Sequence, residues 1–339
     1  MNVLSKVTAL AAASAMVLSL AACGGGTAST PAATTSAAPE ASAPAEGAAS
    51  YTVGICQQMT HDALDAATQG FKDALNELLP GQVTFDEQDA GGEYTNCGTI
   101  MDGFVAEGVD LILANATYPL QAAASATADI PILGTSVTDY ATALSIDDWT
   151  GTVGGNISGT SDLAPLDQQA AMLQELFPDA TTVGLLYCSG EPNSVYQVET
   201  IQGYLEDMGY TCEQYAFTDV NDLSSVAQTA CDGSDVIYIP TDNTAAANTE
   251  TIANVVIPAG VPVIAGESGI CSGCGVATLS ISYYDIGYKT GEMAAQILTG
   301  EADISTMPVE YAPNVTKMYN AANCEALGLT MPEDYEPIA

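Results

Sequence analysis

The feature that most constrains the fold is a repeated alternation of short apolar runs with longer amphipathic stretches. Residues 51–56 form an apolar run typical of a buried strand, and residues 61–79 place small and apolar side chains on one stripe of a helix. The alternation stops at an irregular segment, residues 137–162, and restarts over residues 166–298, where we predict one helix over residues 245–257. Strands that alternate with helices predict parallel sheets covered on both faces. We therefore predict an α/β protein with two doubly wound parallel-sheet lobes joined by a hinge.

The N-terminal 50 residues predict export and attachment to a membrane. Lys6 precedes an apolar run that is shorter than the roughly 20 residues of a spanning helix, as in a secretory signal peptide. Residues 20–23, Leu-Ala-Ala-Cys, resemble a bacterial lipobox, in which the cysteine is lipidated. We expect residues 1–22 to be a lipoprotein signal peptide and Cys23 to be the lipidation site. An ordinary signal peptide with an incidental cysteine is the alternative.

The rest of the chain divides into a tether and two lobes. Residues 23–50 comprise Cys23 and a flexible Ala/Ser/Thr/Pro/Gly tether. We assign the N-terminal lobe to residues 51–160 plus about 283–308, the C-terminal lobe to residues 161–282, and a crossover segment with a short helix to residues 309–339. Ligands of open α/β sheets bind outside the carboxyl ends of the strands, so we expect a cleft between the lobes that closes like a hinge.

The charge of the chain restricts what it can bind. It has 42 Asp and Glu residues, four Lys residues and no Arg. A nucleic-acid surface needs a basic footprint, which is absent, so we expect no nucleic acid among the partners. A ligand carboxylate would have to be held by backbone amides, hydroxyls and side-chain amides, because no guanidinium is available.

Polar residues that follow the strands are the candidate ligand contacts. The helix start at Asn193 offers free N–H groups that attract a carboxylate, whereas Asp242 and Glu191 would accept from an ammonium group. Together such residues suit a zwitterion. Asn193, Ser194 and Asp242 also fit the role of helix N-caps, which is compatible with ligand contact. The predicted ligand-binding residues are Gln58, Thr117, Thr135, Ser136, Glu191, Asn193, Ser194, Asp242 and Asn243.

Cysteine and histidine usage bears on metals, redox chemistry and catalysis. Eight cysteines follow Cys23, and an even number in an exported chain suggests disulfides. We interpret Cys271 and Cys274 as a structural disulfide rather than half of a metal site, because His61 is the one histidine. We expect no metal and no cofactor. The sequence contains no G-x-S-x-G elbow and no Walker A loop, so we predict no catalytic residues and give His61 a structural or neutral-donor role.

The residues that indicate a relationship to known proteins are spread along the folded part of the chain. They are 53–55, 61–66, 70–71, 117 with 119, 121–122, 130–132, 137–139, 155–162, 190–194, 240–243, 277–278, 283–284, 287 and 326–332. In their order and spacing, these segments resemble the tryptophan/tyrosine (aromatic amino-acid) binding family of ABC importer lipoproteins, and the similarity extends over residues 51–335.

This resemblance implies a type I periplasmic-binding fold and a non-enzymatic role. The chain would be the extracytoplasmic solute-binding subunit of an ABC importer, lipid-anchored to the cell membrane and monomeric. It would capture an aromatic amino acid by cleft closure and deliver it to ABC permease and ATPase subunits. The alternatives are a nucleoside or sugar ligand on the same fold, an exported hydrolase that depends on His61, and a sensory binding protein.

Overall fold

The computed structural model describes residues 50–338. The predicted signal peptide, the lipidation of Cys23 and nearly all of the predicted tether therefore lie outside the described residues. Between residues 50 and 338, no helix is both long and apolar enough to cross a membrane.

Strands and helices alternate along the described chain, as the sequence pattern predicts. The strands are β1 (Tyr51–Gln57), β2 (Val83–Asp89), β3 (Leu111–Asn115), β4 (Ile132–Val137), β5 (Ile157–Ser161), β6 (Thr182–Cys188), β7 (Thr211–Phe217), β8 (Val236–Ile239), β9 (Val263–Ala265), β10 (Ala277–Ser280), β11 (Glu310–Tyr311), β12 (Thr316–Tyr319) and β13 (Glu336–Pro337). The helices are α1 (Asp62–Leu78), α2 (Tyr94–Glu107), α3 (Thr117–Ala126), α4 (Tyr140–Leu144), α5 (Leu166–Leu176), α6 (Pro192–Asp207), α7 (Val220–Gly233), α8 (Asn243–Ala246), α9 (Thr249–Ala259), α10 (Ser268–Gly273), α11 (Tyr283–Leu298) and α12 (Ala321–Leu327).

The strands form two sheets with the same internal order. The first sheet runs β11-β5-β4-β3-β1-β2, and all its pairs are parallel. The second sheet runs β13-β12-β10-β9-β8-β6-β7, and it is parallel except for the antiparallel pair of β10 and β12. In chain order, the first strand of each sheet, β1 or β6, lies between the second and the third strand of that sheet. This arrangement makes a topological switch point at the carboxyl end of β1 and of β6. The predicted α/β fold with parallel sheets is confirmed.

Helix α11 follows β10 of the second sheet and packs against α1 and the first sheet. A Cβ atom on Gly70 would lie 2.1 Å from the carbonyl oxygen of Tyr284, and one on Gly287 would lie 2.0 Å from that of Ala67. The backbones of α1 and α11 therefore approach so closely that only glycine fits at these crossings. The helix that follows β10 consequently packs on the first sheet, and β12 and β13 later return to the second.

Two local differences from the sequence pattern have clear physical reasons. Residues 137–162 are not irregular throughout, since they contain α4 and β5. Strand β5 has little apolar character because its buried hydroxyls pair with other hydroxyls, as Thr160 does with Thr290 at 2.8 Å. The predicted helix over residues 245–257 is two helices, α8 and α9, and the Asn248 side chain bonds the carbonyl of Thr244 at the break.

The eight described cysteines are free thiols. Cys271 and Cys274, which the sequence suggests as a structural disulfide, lie in and just after α10. The thiol of Cys274 donates to the carbonyl of Ile270 at 3.4 Å instead of joining Cys271. The structure therefore does not support a disulfide between these two residues.

Candidate functional site

Buried polar groups from both sheets converge on one small cavity between their carboxyl ends. The space between atoms there is about 260 Å³, of which about 10 Å³ can hold the centre of a water molecule. That is room for about one water. A larger groove, with about 910 Å³ of space between atoms, lies beside α11 at Lys289 and Tyr311, but it is open to solvent and lined by few buried polar groups. The small cavity is therefore the candidate site.

The cavity is lined from three directions. His61, Leu64 and Ser136 come from the side of the first sheet. Asn193, Thr241, Asp242, Asn243 and Ala246 come from the side of the second sheet, and Asp162, Glu267 and Tyr283 complete the lining. Four residues predicted from the sequence, Ser136, Asn193, Asp242 and Asn243, are thus brought together. The other five, Gln58, Thr117, Thr135, Glu191 and Ser194, are buried but do not line this cavity.

The carboxylate of Glu191 accepts hydrogen bonds from the backbone and side chains of other residues in the protein. One carboxylate oxygen accepts from the backbone N–H of Asn243 at 3.0 Å and from its side-chain amide at 2.7 Å. The other accepts from the backbone N–H and the hydroxyl of Thr244 at 2.8 and 2.7 Å. Its carboxylate therefore holds the start of α8 against the loop before α6.

Asp242 acts as the N-cap of α8. Its oxygens accept from the backbone N–H groups of Ala245 at 2.8 Å and Cys188 at 2.6 Å. Complete burial, together with the negative charge of Glu191, raises the pKa of Asp242 to about 7. Of the two roles that the sequence leaves open for Asp242, this geometry favours capping.

Neighbouring amides extend the same network. The side-chain amide of Asn193 donates to the carbonyl of Thr241 at 3.0 Å and to the hydroxyl of Ser194 at 3.4 Å. Asn243 reaches across the cavity, where its amide oxygen lies 3.1 Å from Nε2 of His61. Burial lowers the pKa of His61, so the ring is neutral and donates this bond. That contact matches the neutral-donor role predicted for His61.

The remaining predicted residues of the first sheet lie away from the cavity. The side-chain oxygen of Gln58 faces the backbone N–H of Tyr118 at 3.4 Å, in the first turn of α3, and Thr117 begins that helix. The hydroxyl of Thr135 lies 3.2 Å from that of Thr160 in the interior of the sheet. Thr135 therefore serves the packing of β4 on β5.

Ser136 is the polar residue with an unsatisfied group at the cavity. It has a positive φ of 55°, which is uncommon for a residue other than glycine. Its buried hydroxyl has no hydrogen-bond partner among the described residues, although it belongs to the cavity lining. A strained backbone that carries an unpaired buried donor is typical of a functional position.

Asp162 is a lining residue that sequence reasoning did not select. One of its oxygens accepts from the hydroxyl of Thr138 at 2.9 Å, and the other accepts from the hydroxyl of Tyr283 at 2.9 Å. Burial raises its pKa, and the two hydroxyl donors only partly offset that effect. Since a carboxylate can accept about four bonds, Asp162 retains acceptor capacity toward the cavity. Its place after β5, within the segment read as irregular, concealed this role.

Glu267 is the second residue missed from the sequence. It caps α10 through bonds to the backbone N–H groups of Gly269 and Ile270. Burial raises its pKa to about 7. Position alone would have pointed to it, because Glu267 follows β9 just as Asp242 follows β8.

The cavity is lined by acidic residues and by no lysine. Asp162, Asp242 and Glu267 line it, Glu191 lies behind Asp242, and all four are nearly inaccessible to solvent. No lysine lines the cavity, and the salt bridges of the described residues involve the half-buried Lys72 and Lys317 and the exposed Lys289. Buried carboxylates without a cation are costly, so the cavity favours a positively charged group.

Besides the hydrogen bond from the side-chain amide of Gln197, on α6, to the hydroxyl of Thr138, which follows β4, two contacts join the opposite sides of the cavity region. One is the bond between His61, which precedes α1, and Asn243 of α8. The other is the hydroxyl of Tyr118, on α3, which donates to the carbonyl of Gly190 in the loop before α6. Each contact links the first sheet's elements to the second's, so both would have to break for the two sides to separate.

Comparisons with known proteins find a matching family and a similar protein. Residues 52–337 match the model of the family described as ABC transporter substrate binding protein. A tyrosine-binding protein of Clostridioides difficile is 31% identical over 280 residues, which is 82% of this chain and 81% of that protein.

Two solved structures are also similar to this chain. A domain from Streptococcus pneumoniae in complex with L-Trp has a TM-score of 0.81 at 31% identity, with 86% of this chain and 100% of that chain covered. A ligand-free, open structure of a substrate-binding protein with adhesive properties from Clostridium difficile has a TM-score of 0.66 at 33% identity, with 85% and 99% covered.

Proposed function

Because the chain belongs to the ABC transporter substrate-binding protein family, we propose that it is the solute-binding subunit of an ABC importer for an aromatic amino acid. The observation that carries the choice of ligand is the buried group of carboxylates around a cavity that no lysine lines. An amino acid brings the missing cation as its ammonium group. A sugar or nucleoside, which carries no charge of that kind, would leave the carboxylates unpaired.

We propose Asp162 as the first partner of the ammonium group. Asp242 and Glu191, the partners suggested by the sequence, already accept several bonds that hold α8 in place. Asp162 accepts two hydroxyl bonds and faces the cavity. An ammonium group beside it would form charge-assisted hydrogen bonds and favour the ionised form of Asp162.

Ser136 is proposed as a donor to the ligand carboxylate. Its buried hydroxyl has no partner among the described residues, and a carboxylate would supply one. This arrangement needs no arginine, in keeping with the absence of that residue from the chain. Thr117, which begins α3, and Gln58, whose side-chain oxygen faces the first turn of α3, remain predicted supporting contacts, because the N-terminus of a helix favours negative charge.

The apolar part of the lining suits an aromatic ring. Leu64 and Ala246 offer apolar surface from opposite sides, and the ring of Tyr283 completes it. The hydroxyl of Tyr283 is engaged with Asp162, so its position is fixed relative to the proposed ammonium partner. Tyr283 would therefore contact the aromatic ring of the ligand and also position Asp162 beside the ammonium group.

Capture requires the two sides of the cavity to separate and close again. The cavity is much too small for an amino acid, and the bonds of Tyr118 and His61 hold its sides together. The chain is also more similar to the L-Trp complex than to the open, ligand-free structure, although their sequence identities to it are nearly equal. We infer that a ligand contacting both sides shifts the population toward the closed form.

The closed form would present the amino acid to permease subunits, which an ATPase powers. A lipid on Cys23 and a tether of residues 24–50 would keep the binding domain close to the membrane. A monomer suffices for this delivery.

Calorimetric titration with matched analogues tests the proposal. L-tyrosine, L-tryptophan and L-phenylalanine should bind, whereas 3-(4-hydroxyphenyl)propionate, which lacks the ammonium group, should not bind measurably. Tyramine, which lacks the carboxylate, should bind more weakly than tyrosine. Tight binding of the deaminated analogue, or of a sugar or nucleoside alone, would refute the zwitterion model.

A further inference from the structure

A buried threonine that does not line the cavity holds the side chain of Asp162. The hydroxyl of Thr138 donates to one carboxylate oxygen of Asp162 at 2.9 Å. Thr138 lies just after β4, and its carbonyl accepts from the hydroxyl of Ser161 at 2.8 Å, which ties it to the residue before Asp162. Both Thr138 and Asp162 are buried, but only Asp162 belongs to the cavity lining. An effect of Thr138 on a ligand would therefore have to pass through Asp162.

The same hydroxyl is contacted from the opposite side of the cleft. There the side-chain amide of Gln197, on α6, donates to Thr138 at 3.4 Å. Two backbone contacts fix the orientation of this amide, since its nitrogen donates to the carbonyl of Asn193 at 3.1 Å and its oxygen accepts from the N–H of Thr241 at 3.2 Å. The nitrogen of Gln197, and not its oxygen, therefore faces Thr138.

These two partners leave one direction for the hydroxyl proton of Thr138. An amide nitrogen only donates hydrogen bonds and an ionised carboxylate only accepts them, whereas a hydroxyl does both. Thr138 must then accept from Gln197 and donate to Asp162. Burial raises the pKa of Asp162, and the bond from Thr138 acts in the opposite direction because it favours the ionised carboxylate. The ionised carboxylate is the form that attracts an ammonium group.

We propose that Thr138 is a positioning residue for amino-acid binding, which acts on the ligand through Asp162. The hydroxyls of Thr138 and Tyr283 each hold one oxygen of Asp162, so the carboxylate is fixed from both ends. The bond from Gln197 joins the two sides of the cleft, so closure favours the hydroxyl orientation that supports Asp162. This inference rests on the proposed function, with Asp162 as the ammonium partner.

Titration calorimetry of the full chain with L-tyrosine tests the proposal. Thr138→Val keeps the size of the side chain but removes its hydroxyl, and the dissociation constant should rise roughly tenfold because a hydrogen bond to a charged group is lost. Thr138→Ser restores the hydroxyl and should bind within about twofold of the native chain. The matched control is Thr229→Val, at an exposed hydroxyl on α7, which should leave the affinity unchanged.

A double-mutant cycle shows whether Thr138 acts through Asp162. In the Asp162→Asn background, Thr138→Val should raise the dissociation constant by less than about twofold, since the charge that Thr138 supports is already gone. Equal losses in both backgrounds would overturn the proposal. So would native affinity of the Thr138→Val variant, or a Thr138→Ser variant that binds as weakly as Thr138→Val.

Two further measurements keep the result interpretable. Denaturant unfolding shows whether each variant is folded, and Thr138→Ala removes the same hydroxyl without a second branch, so it should give the same loss of affinity if valine disturbs the packing. A native chain that binds no amino acid would contradict the proposed function itself. Native binding that Thr138→Val and Thr138→Ala leave unchanged would contradict only the role of Thr138.

Discussion

Replacing Asp162 with asparagine isolates the charge that we assign to the ligand's ammonium partner. The side chain is 4% exposed, so an ammonium group beside it would be almost completely desolvated. Removing one partner of such a pair costs about 2–5 kcal/mol of binding free energy. We take the lower end, about 2 kcal/mol, because burial opposes the ionised form of Asp162, as the raised pKa of its carboxyl indicates. The dissociation constant should therefore rise by roughly 30-fold.

The fold should tolerate this change. The asparagine oxygen can still accept from Thr138, and the amide can donate to the Tyr283 oxygen, so both contacts survive in altered form. We expect the free energy of unfolding to change by about 1 kcal/mol or less. Titration calorimetry with L-tyrosine measures the affinity, and denaturant unfolding measures the stability. Asp303→Asn, at an exposed cap outside the site, is the control and should leave the affinity unchanged.

A comparison with Asp242→Asn makes the test decisive. Asp242 caps α8 and also bonds the N–H of Cys188, so its replacement should lower stability more than affinity. Asp162→Asn should show the opposite pattern. If the Asp162 variant binds as tightly as the native chain while the Asp242 variant loses binding, our assignment of the ammonium partner is wrong.

Three further predictions follow from other parts of the structure. Ser136→Ala should weaken amino-acid binding by about 1 kcal/mol, or roughly fivefold, whereas tyramine, which lacks the carboxylate, should bind the variant and the native chain equally in the same titration. Because the pKa of Asp242 and that of Glu267 are about 7 in the folded chain and lower in the unfolded chain, the stability they contribute is present at acid pH and is lost as pH rises through about 7. The ligand-free chain should thus unfold at a higher Tm at pH 5 than at pH 8, while affinity falls on acidification; a Tm that rises with pH would contradict this. Gly70→Ala should destabilise the fold by about 1–3 kcal/mol in denaturant unfolding, because its Cβ would meet the Tyr284 backbone, while Gly103→Ala on α2, with open space around it, should be neutral or stabilising.

Much of the fold was predictable because it depends on local pattern. Periodicity identified most strands and helices, as in β3, whose five residues are all buried, and in the apolar stripe of α1. Strand β5 was missed because its side chains are buried through hydroxyl pairing, which leaves no apolar signal. The single predicted helix over residues 245–257 hid a break, since α8 and α9 both bury apolar residues and the periodicity continues across the break.

The candidate site was predictable only in part. The rule that ligands bind beyond strand ends led to Ser136, Asn193, Asp242 and Asn243, which do line the cavity. The same rule could not tell a residue that faces the cavity from one that faces the sheet, so it also selected Thr135. Asp162 was missed because nothing local distinguishes it among 42 acidic residues. Glu267 was missed although it follows β9 as Asp242 follows β8, so the same rule would have selected it.

The sequence by itself determined the alternation of strands and helices and the absence of arginine, and hence the kind of sheet and the donors left for a carboxylate. Only the tertiary structure decided which carboxylates are free. Glu191 and Asp242 are satisfied by backbone amides from another loop, whereas Asp162 keeps acceptor capacity beside the cavity. Whether a carboxylate already accepts all its hydrogen bonds depends on groups far apart along the chain, such as Cys188 and Asp242. The sequence does not show such pairs, because only the fold brings them together.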